Sequence, residues 1–206
     1  MSYISNREIY DHHKDVVEPV KAKLDSIDAK EALELPVELK VEYDYPDYGW
    51  LPTTFEAGAN KLEIEFSDVY YSLEELGDWF KAIVSGDYNK SGVQTITDDE
   101  DVFHLFSFRS LSSDKSSKGV FYLLEYYYNH KKNCICIEHI TALLTPKEVV
   151  RMIYLPLLEK FHSMEKVPVA YRHHGWLWYP HDDEEESWQD VIETFSSKEI
   201  DDFIKD

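Results

Sequence analysis

The chain has 206 residues, with 41 acidic side chains against 21 basic ones and a formal net charge of −20. A surface this acidic repels nucleic-acid phosphates and anionic membranes, and it attracts cationic surfaces over roughly a Debye length, about 8 Å at physiological salt. An apolar share of 43%, with 15 tyrosines, 10 phenylalanines and 5 tryptophans, argues for a packed core rather than a disordered chain, and no apolar window is long enough to span a membrane.

The first 35 residues read as helical, with Ile9, Val16, Val17, Val20, Leu24 and Ile27 near a 3.6-residue period. Pro19 interrupts that pattern, so the helix either kinks there or begins near Glu18. Asp28 is placed to cap a short helix over 29–34 that Pro36 ends. Strict alternation follows, with Val37, Leu39, Val41, Tyr43 and Tyr45 on one face and charges on the other, which predicts a half-buried strand. Residues 46–59 are rich in breakers and aromatics and read as a loop. A second strand carries Leu62, Ile64 and Phe66 inward.

Ser72 and Glu75 have the spacing of a capping box, opening a helix with Leu73, Leu76, Trp79, Phe80 and Ile83 on one stripe. Strands are expected over 93–97, 102–110, 119–128 and 134–140, joined by short polar turns at 98–101, 112–118 and 129–133 that favour an antiparallel meander. Thr145 and Glu148 form a second capping box, with Pro146 at the first helical position. That helix runs to about Met164 and contains Pro156. A further helix is expected through Trp188, Val191, Ile192 and Phe195, and a last turn from Ser196.

The expected architecture is α+β: an antiparallel sheet of about six strands with helices packed on one face. It forms a single domain over 1–206, with 1–35 a possible appended helical arm. The predicted core comprises Leu62, Ile64, Phe66, Leu76, Trp79, Phe80, Ile83, Phe106, Leu123, Ile153, Leu157 and Phe161. The two cysteines, Cys134 and Cys136, share one face of a strand in poor geometry for a mutual disulfide, and read as small buried hydrophobes. With no signal-peptide pattern at the amino terminus, a cytoplasmic protein is expected.

Candidate sites are few. His173, His174 and His181 with Asp182 and Asp183 are the densest group of metal-ligand types, but no recognised ligand spacing joins them, so no bound metal is expected. The acidic runs Asp98, Asp99, Glu100, Asp101 and Asp182, Asp183, Glu184, Glu185, Glu186 lack the alternate spacing and glycine of a calcium loop. They read as contact surfaces for a cationic partner, joined by Trp176 and Trp178, whose indoles supply large contact area at low entropic cost. No serine-nucleophile elbow, phosphate-binding glycine loop or dinucleotide fingerprint occurs, no catalytic residue is assigned and no cofactor is expected. The excess of aromatics is a separate puzzle, since Tyr126 and Tyr127 must face opposite sides of their strand.

The organisation over residues 60–140 is a strand, then the helix Ser72-Leu-Glu-Glu-Leu-Gly-Asp-Trp-Phe-Lys-Ala-Ile83, then strands around the acidic turn at 98–101. It resembles bacterial immunity proteins of toxin–immunity pairs. The resemblance implies a non-enzymatic binding protein that neutralises a basic partner such as a nuclease toxin. The alternatives are a metal-dependent or glycan-acting hydrolase, and a DNA mimic whose carboxylates imitate phosphate spacing. Nucleic acid and membrane are not expected partners.

Overall fold

The computed structural model describes residues 6–45, 50–67, 72–86, 92–99, 102–112, 116–129, 132–164 and 188–205. The class is α+β, but the strands form two antiparallel sheets rather than one sheet of about six. The smaller sheet has β1 (Lys40–Tyr43), β2 (Trp50–Ala57) and β3 (Asn60–Ser67) in that order. The larger is a meander of β4 (Val93–Asp99), β5 (Val102–Ser110), β6 (Gly119–Asn129) and β7 (Cys134–Leu144).

The unforeseen strand is β2, inside the stretch that its breakers mark as a loop. Pro52 is accommodated because β1 stops pairing at Tyr43↔Thr53, one residue short of it. The Pro52 carbonyl still accepts from the Asp44 amide at 2.8 Å, and on the other side Pro52 pairs with Glu65. β2 then alternates like any half-buried strand, with Leu51, Thr53, Phe55 and Ala57 inward. The preceding strand is shorter than its pattern suggests: Leu39, Val41 and Tyr43 are buried, while Val37 and Tyr45 lie beyond its ends and are exposed.

The sheets stack face to face. Phe106 of the larger sheet meets Phe55 and Phe66 of the smaller, both with ring centroids at 6.0 Å. Two helices complete this core, α2 (Ser72–Ser85) and α3 (Pro146–Met164), with α4 (Trp188–Phe195) and α5 (Lys198–Lys205) packed behind them. Helix α3 opens with the expected capping box: the Thr145 amide donates to Glu148 Oε2 at 2.7 Å, and the Glu148 amide to Thr145 Oγ1 at 3.2 Å. All twelve residues of the predicted core are buried.

Helices do not keep to one face. Helix α1 (Asn6–Asp25) runs through Pro19 without ending and covers the far face of the larger sheet. There Val17 and Leu24 form a second core with Phe103, Leu105, Tyr122, Leu124 and Tyr126. Tyr122 donates to Asp25 Oδ1 at 2.9 Å, and Arg109 Nη2 to the Ile27 carbonyl. Asp28 then accepts from the amides of Lys30 and Glu31, both at 2.8 Å, at the head of a 3₁₀ turn over Glu31–Glu34. The puzzle of the aromatics is thereby resolved: β5 and β6 bury both faces, so consecutive ring residues enter two different cores.

Three buried phenols tie the layers together and give the fold an alkaline limit. Tyr43 donates to the Ile153 carbonyl at 3.2 Å, Tyr154 to Asp201 Oδ1 at 2.6 Å, and Tyr122 to Asp25. Burial, as the largest cause, pushes all three well above their ordinary value of 10. The folded state therefore keeps protons that the unfolded chain releases above pH 10. Their contribution is complete below that value and declines as pH rises beyond it, by up to about 1.4 kcal/mol per pH unit for Tyr43 alone. Chemical denaturation at pH 8, 10 and 11 should show a small fall in stability by pH 10 and a steeper one between pH 10 and 11; an unchanged midpoint at pH 11 would refute the assignment.

Candidate functional site

The two sheets are not coextensive. β5, β6 and β7 continue past the smaller sheet, so the face that forms the main core emerges at one end as a platform. Cross-strand register orders its rows. Phe106, Leu123 and Ile140 are core. The next row is Thr97, His104, Glu125 and Glu138, and the one after is Asp99, Val102, Tyr127 and Cys136. Above this platform a cleft of about 1170 Å³ opens between the ends of both sheets and the carboxyl-terminal half of α3.

Six of its eighteen lining residues are acidic. Among the described residues, Glu42, Asp44, Glu63 and Glu65 come from the smaller sheet and its end, Glu125 from β6 and Glu159 from α3, and Lys160 is the one cation. The Lys160 ammonium is held 4.2 Å above the Tyr45 ring. Glu42 is offset by Lys40 at 2.7 Å and Glu63 by Lys61, both exposed pairs that solvent screens. Trp50, Tyr43 and Tyr127 add aromatic surface. Half-buried on the platform, Tyr127 shares a hydrogen bond with Cys136, and that bond above all holds its phenol above the ordinary range.

The buried row beneath the cleft is a chain of polar groups across three strands. Thr97 Oγ1 lies 3.3 Å from His104 Nδ1, and His104 Nε2 lies 3.1 Å from Glu125 Oε2. Thr97 and His104 are fully buried and Glu125 is 9% exposed. An ionised carboxylate can only accept, so the His104 proton resides on Nε2. A neutral ring then leaves Nδ1 to accept from the Thr97 hydroxyl. The His104 ring also packs on Phe66 at 6.1 Å, which fixes its plane.

Of the candidate contact residues, Asp98 and Asp99 lie in the last two positions of β4 rather than in a turn. Asp99 pairs with Val102, which lines the cleft, whereas Asp98 pairs with Phe103 in a row of the opposite face. The others, Glu100, Asp101, Trp176, Trp178, Asp182, Asp183, Glu184, Glu185 and Glu186, lie outside the described residues, as do His173, His174 and His181. Among the described residues no group of three or more histidines, cysteines or carboxylates is arranged to hold a metal, and no helix is long and apolar enough to cross a membrane. The cysteines are not buried hydrophobes: Cys134 is exposed and Cys136 half-buried, both free, because their end of β7 extends beyond the smaller sheet.

Sequence reasoning missed the cleft and the row beneath it. A signal was present: His104 and Glu125 each occupy a core-facing position in a strand whose neighbours on that face are apolar or aromatic, Val102 and Phe106 for the first and Leu123 and Tyr127 for the second. No protein-family model, curated protein or solved structure matches the chain.

Proposed function

We propose that the protein is an acidic, non-enzymatic binding protein that neutralises a basic partner protein, in the manner of an immunity protein acting on a toxin. The observation that carries this reading is the cleft, lined among the described residues by six acidic residues and one lysine, at the end of the fold where the acidic strand β4 also terminates. Low-dielectric walls lined by one sign of charge focus the field and raise the encounter rate with a cationic surface. Aromatic side chains beside the carboxylates provide the apolar contact that slows dissociation. A net charge of −20 extends the same attraction over the rest of the molecule and disfavours polyanionic partners.

Stopped-flow association with the basic protein captured from the native cell tests the proposal. The on-rate should fall steeply with ionic strength, because screening acts on steering between exposed charges. Reversing Glu65 and Glu159 together to lysine should slow association about tenfold at low salt while leaving the thermal midpoint in place. Neutralising Asp98 through Asp101, or Asp182 through Glu186, should act in the same direction. An on-rate indifferent to salt and to these substitutions would overturn the electrostatic reading.

A further inference from the structure

We infer that Glu125 is the anchor of the cleft, and that it accepts one cationic side chain, a lysine ammonium or an arginine guanidinium, from a basic segment of the partner. The inference deepens the proposed function and rests on the cleft being the binding surface.

Three observations converge on this residue. First, Glu125 is nine-tenths buried yet lines the cleft. Its Oε2 is held by His104, while Oε1 has no hydrogen-bond partner among the described residues. Glu125 lines the cleft, so this oxygen is open to a ligand's N–H, and a charge-assisted bond at a largely desolvated carboxylate is stronger than one in open solvent. Second, Glu125 stands directly opposite Glu138 in the register of β6 and β7, and Glu138 makes no ion pair among the described residues. Like charges facing each other across strands destabilise a sheet, and a cation placed between them converts repulsion into attraction. Third, the carboxylate does not need to be ordered on binding. Thr97 fixes His104, and His104 fixes Glu125, so the acceptor is preorganised on the rigid centre of the larger sheet.

With one oxygen committed to His104, Glu125 offers a single acceptor rather than a two-oxygen fork. It can therefore receive one N–H of either head group, with Tyr127 in the adjacent row against the stem or the guanidinium plane. His104 is a positioning residue here: it holds the acceptor and does not itself touch the ligand.

The test uses the full chain and fluorescein-labelled dodecalysine and dodeca-arginine, followed by anisotropy. Wild-type protein should bind at low salt, and the two peptides report which head group the anchor prefers. Glu125→Gln keeps the shape and can still accept from His104, and it should weaken binding by about tenfold, the loss of one charge-assisted contact. Glu34→Gln removes the same charge from the exposed 3₁₀ turn whose Ala32 packs on Val120 and Leu143 at the other end of the larger sheet, and should change affinity less than about twofold. A second measurement needs no variant: the side-chain nitrogen resonances of His104 in wild-type protein should shift as peptide saturates, because Nε2–H shares its carboxylate with the ligand. If wild type binds but Glu125→Gln binds equally well, or the His104 resonances stay fixed at saturation, the anchor is refuted and the acidic-cleft reading stands. If wild type binds neither peptide, both fall.

Discussion

Trp79→Ala should lower the unfolding free energy by about 3–5 kcal/mol, the range for truncating a large aromatic in a packed core. Trp79 is 2% exposed and lies where α2 meets the larger sheet. Its ring has Phe80, Phe106 and Phe121 around it at centroid distances of 5.7, 5.6 and 6.2 Å, so removal leaves a void bordered by three rings that cannot close together. The indole Nε1 also donates to the Val93 carbonyl at 3.3 Å, joining the helix to the edge strand β4. Urea unfolding should show the loss as a fall in midpoint. Trp79→Phe should recover much of the volume but not the hydrogen bond, and sit between the two. A loss below about 1 kcal/mol for the alanine variant would mean that α2 does not cover this sheet.

That layer was legible in the sequence because its signals are local. The apolar stripe of α2, the capping box of Thr145 and Glu148, and the alternation in 60–66 each specify an element and its inward face without reference to the rest of the chain. Division into two sheets was not legible, since a strand's alternation shows which side is buried but not whether the covering layer is a helix or another sheet. Phe66 and Phe106 pattern as core residues in either case. β2 was hidden by Pro52, whose tolerance depends on where β1 stops, a tertiary fact. α1 was legible as a helix, but its partner was not: the face it covers belongs to strands far along the chain, with Phe103, Leu105, Tyr122, Leu124 and Tyr126.

The cleft was illegible for a related reason. Glu42, Glu63 and Glu65 are the polar halves of two alternating strands, and Glu159 is a charge on the side of an amphipathic helix; singly, each reads as solvated surface. They meet only because the larger sheet overhangs the smaller and α3 runs alongside β1. Overall charge is a property of composition and does not say where carboxylates gather in space. The acidic runs were the conspicuous feature of the sequence, whereas Glu125, the one buried acidic residue among those described, stands alone in the apolar run of β6.

Gly77→Ala should destabilise the protein, against the usual rule for a helix interior. Alanine is favoured over glycine there by about 1 kcal/mol, so substitution in an exposed helix would stabilise. At Gly77 the backbone of α2 lies close against that of α4. A Cβ at this position would lie 2.6 Å from the Phe195 Cα, 2.9 Å from the Thr194 carbonyl oxygen and 3.1 Å from the Phe195 carbonyl carbon. These are main-chain atoms, so no side-chain rotation can make room, and the helices must separate by several tenths of an ångström or more. Separation loosens Phe195 from Tyr154 and Phe161, which it meets at 6.2 and 5.4 Å, and draws Ile192 out of the core. Overpacking of this kind costs about 1–3 kcal/mol, which exceeds the gain in helix propensity. Denaturant titration of Gly77→Ala should show a net loss, and Gly77→Val a larger one. Hydrogen exchange should localise the loosening to α4 and α5, with the larger sheet still protected. A stabilised Gly77→Ala variant would show that α4 does not pack against α2.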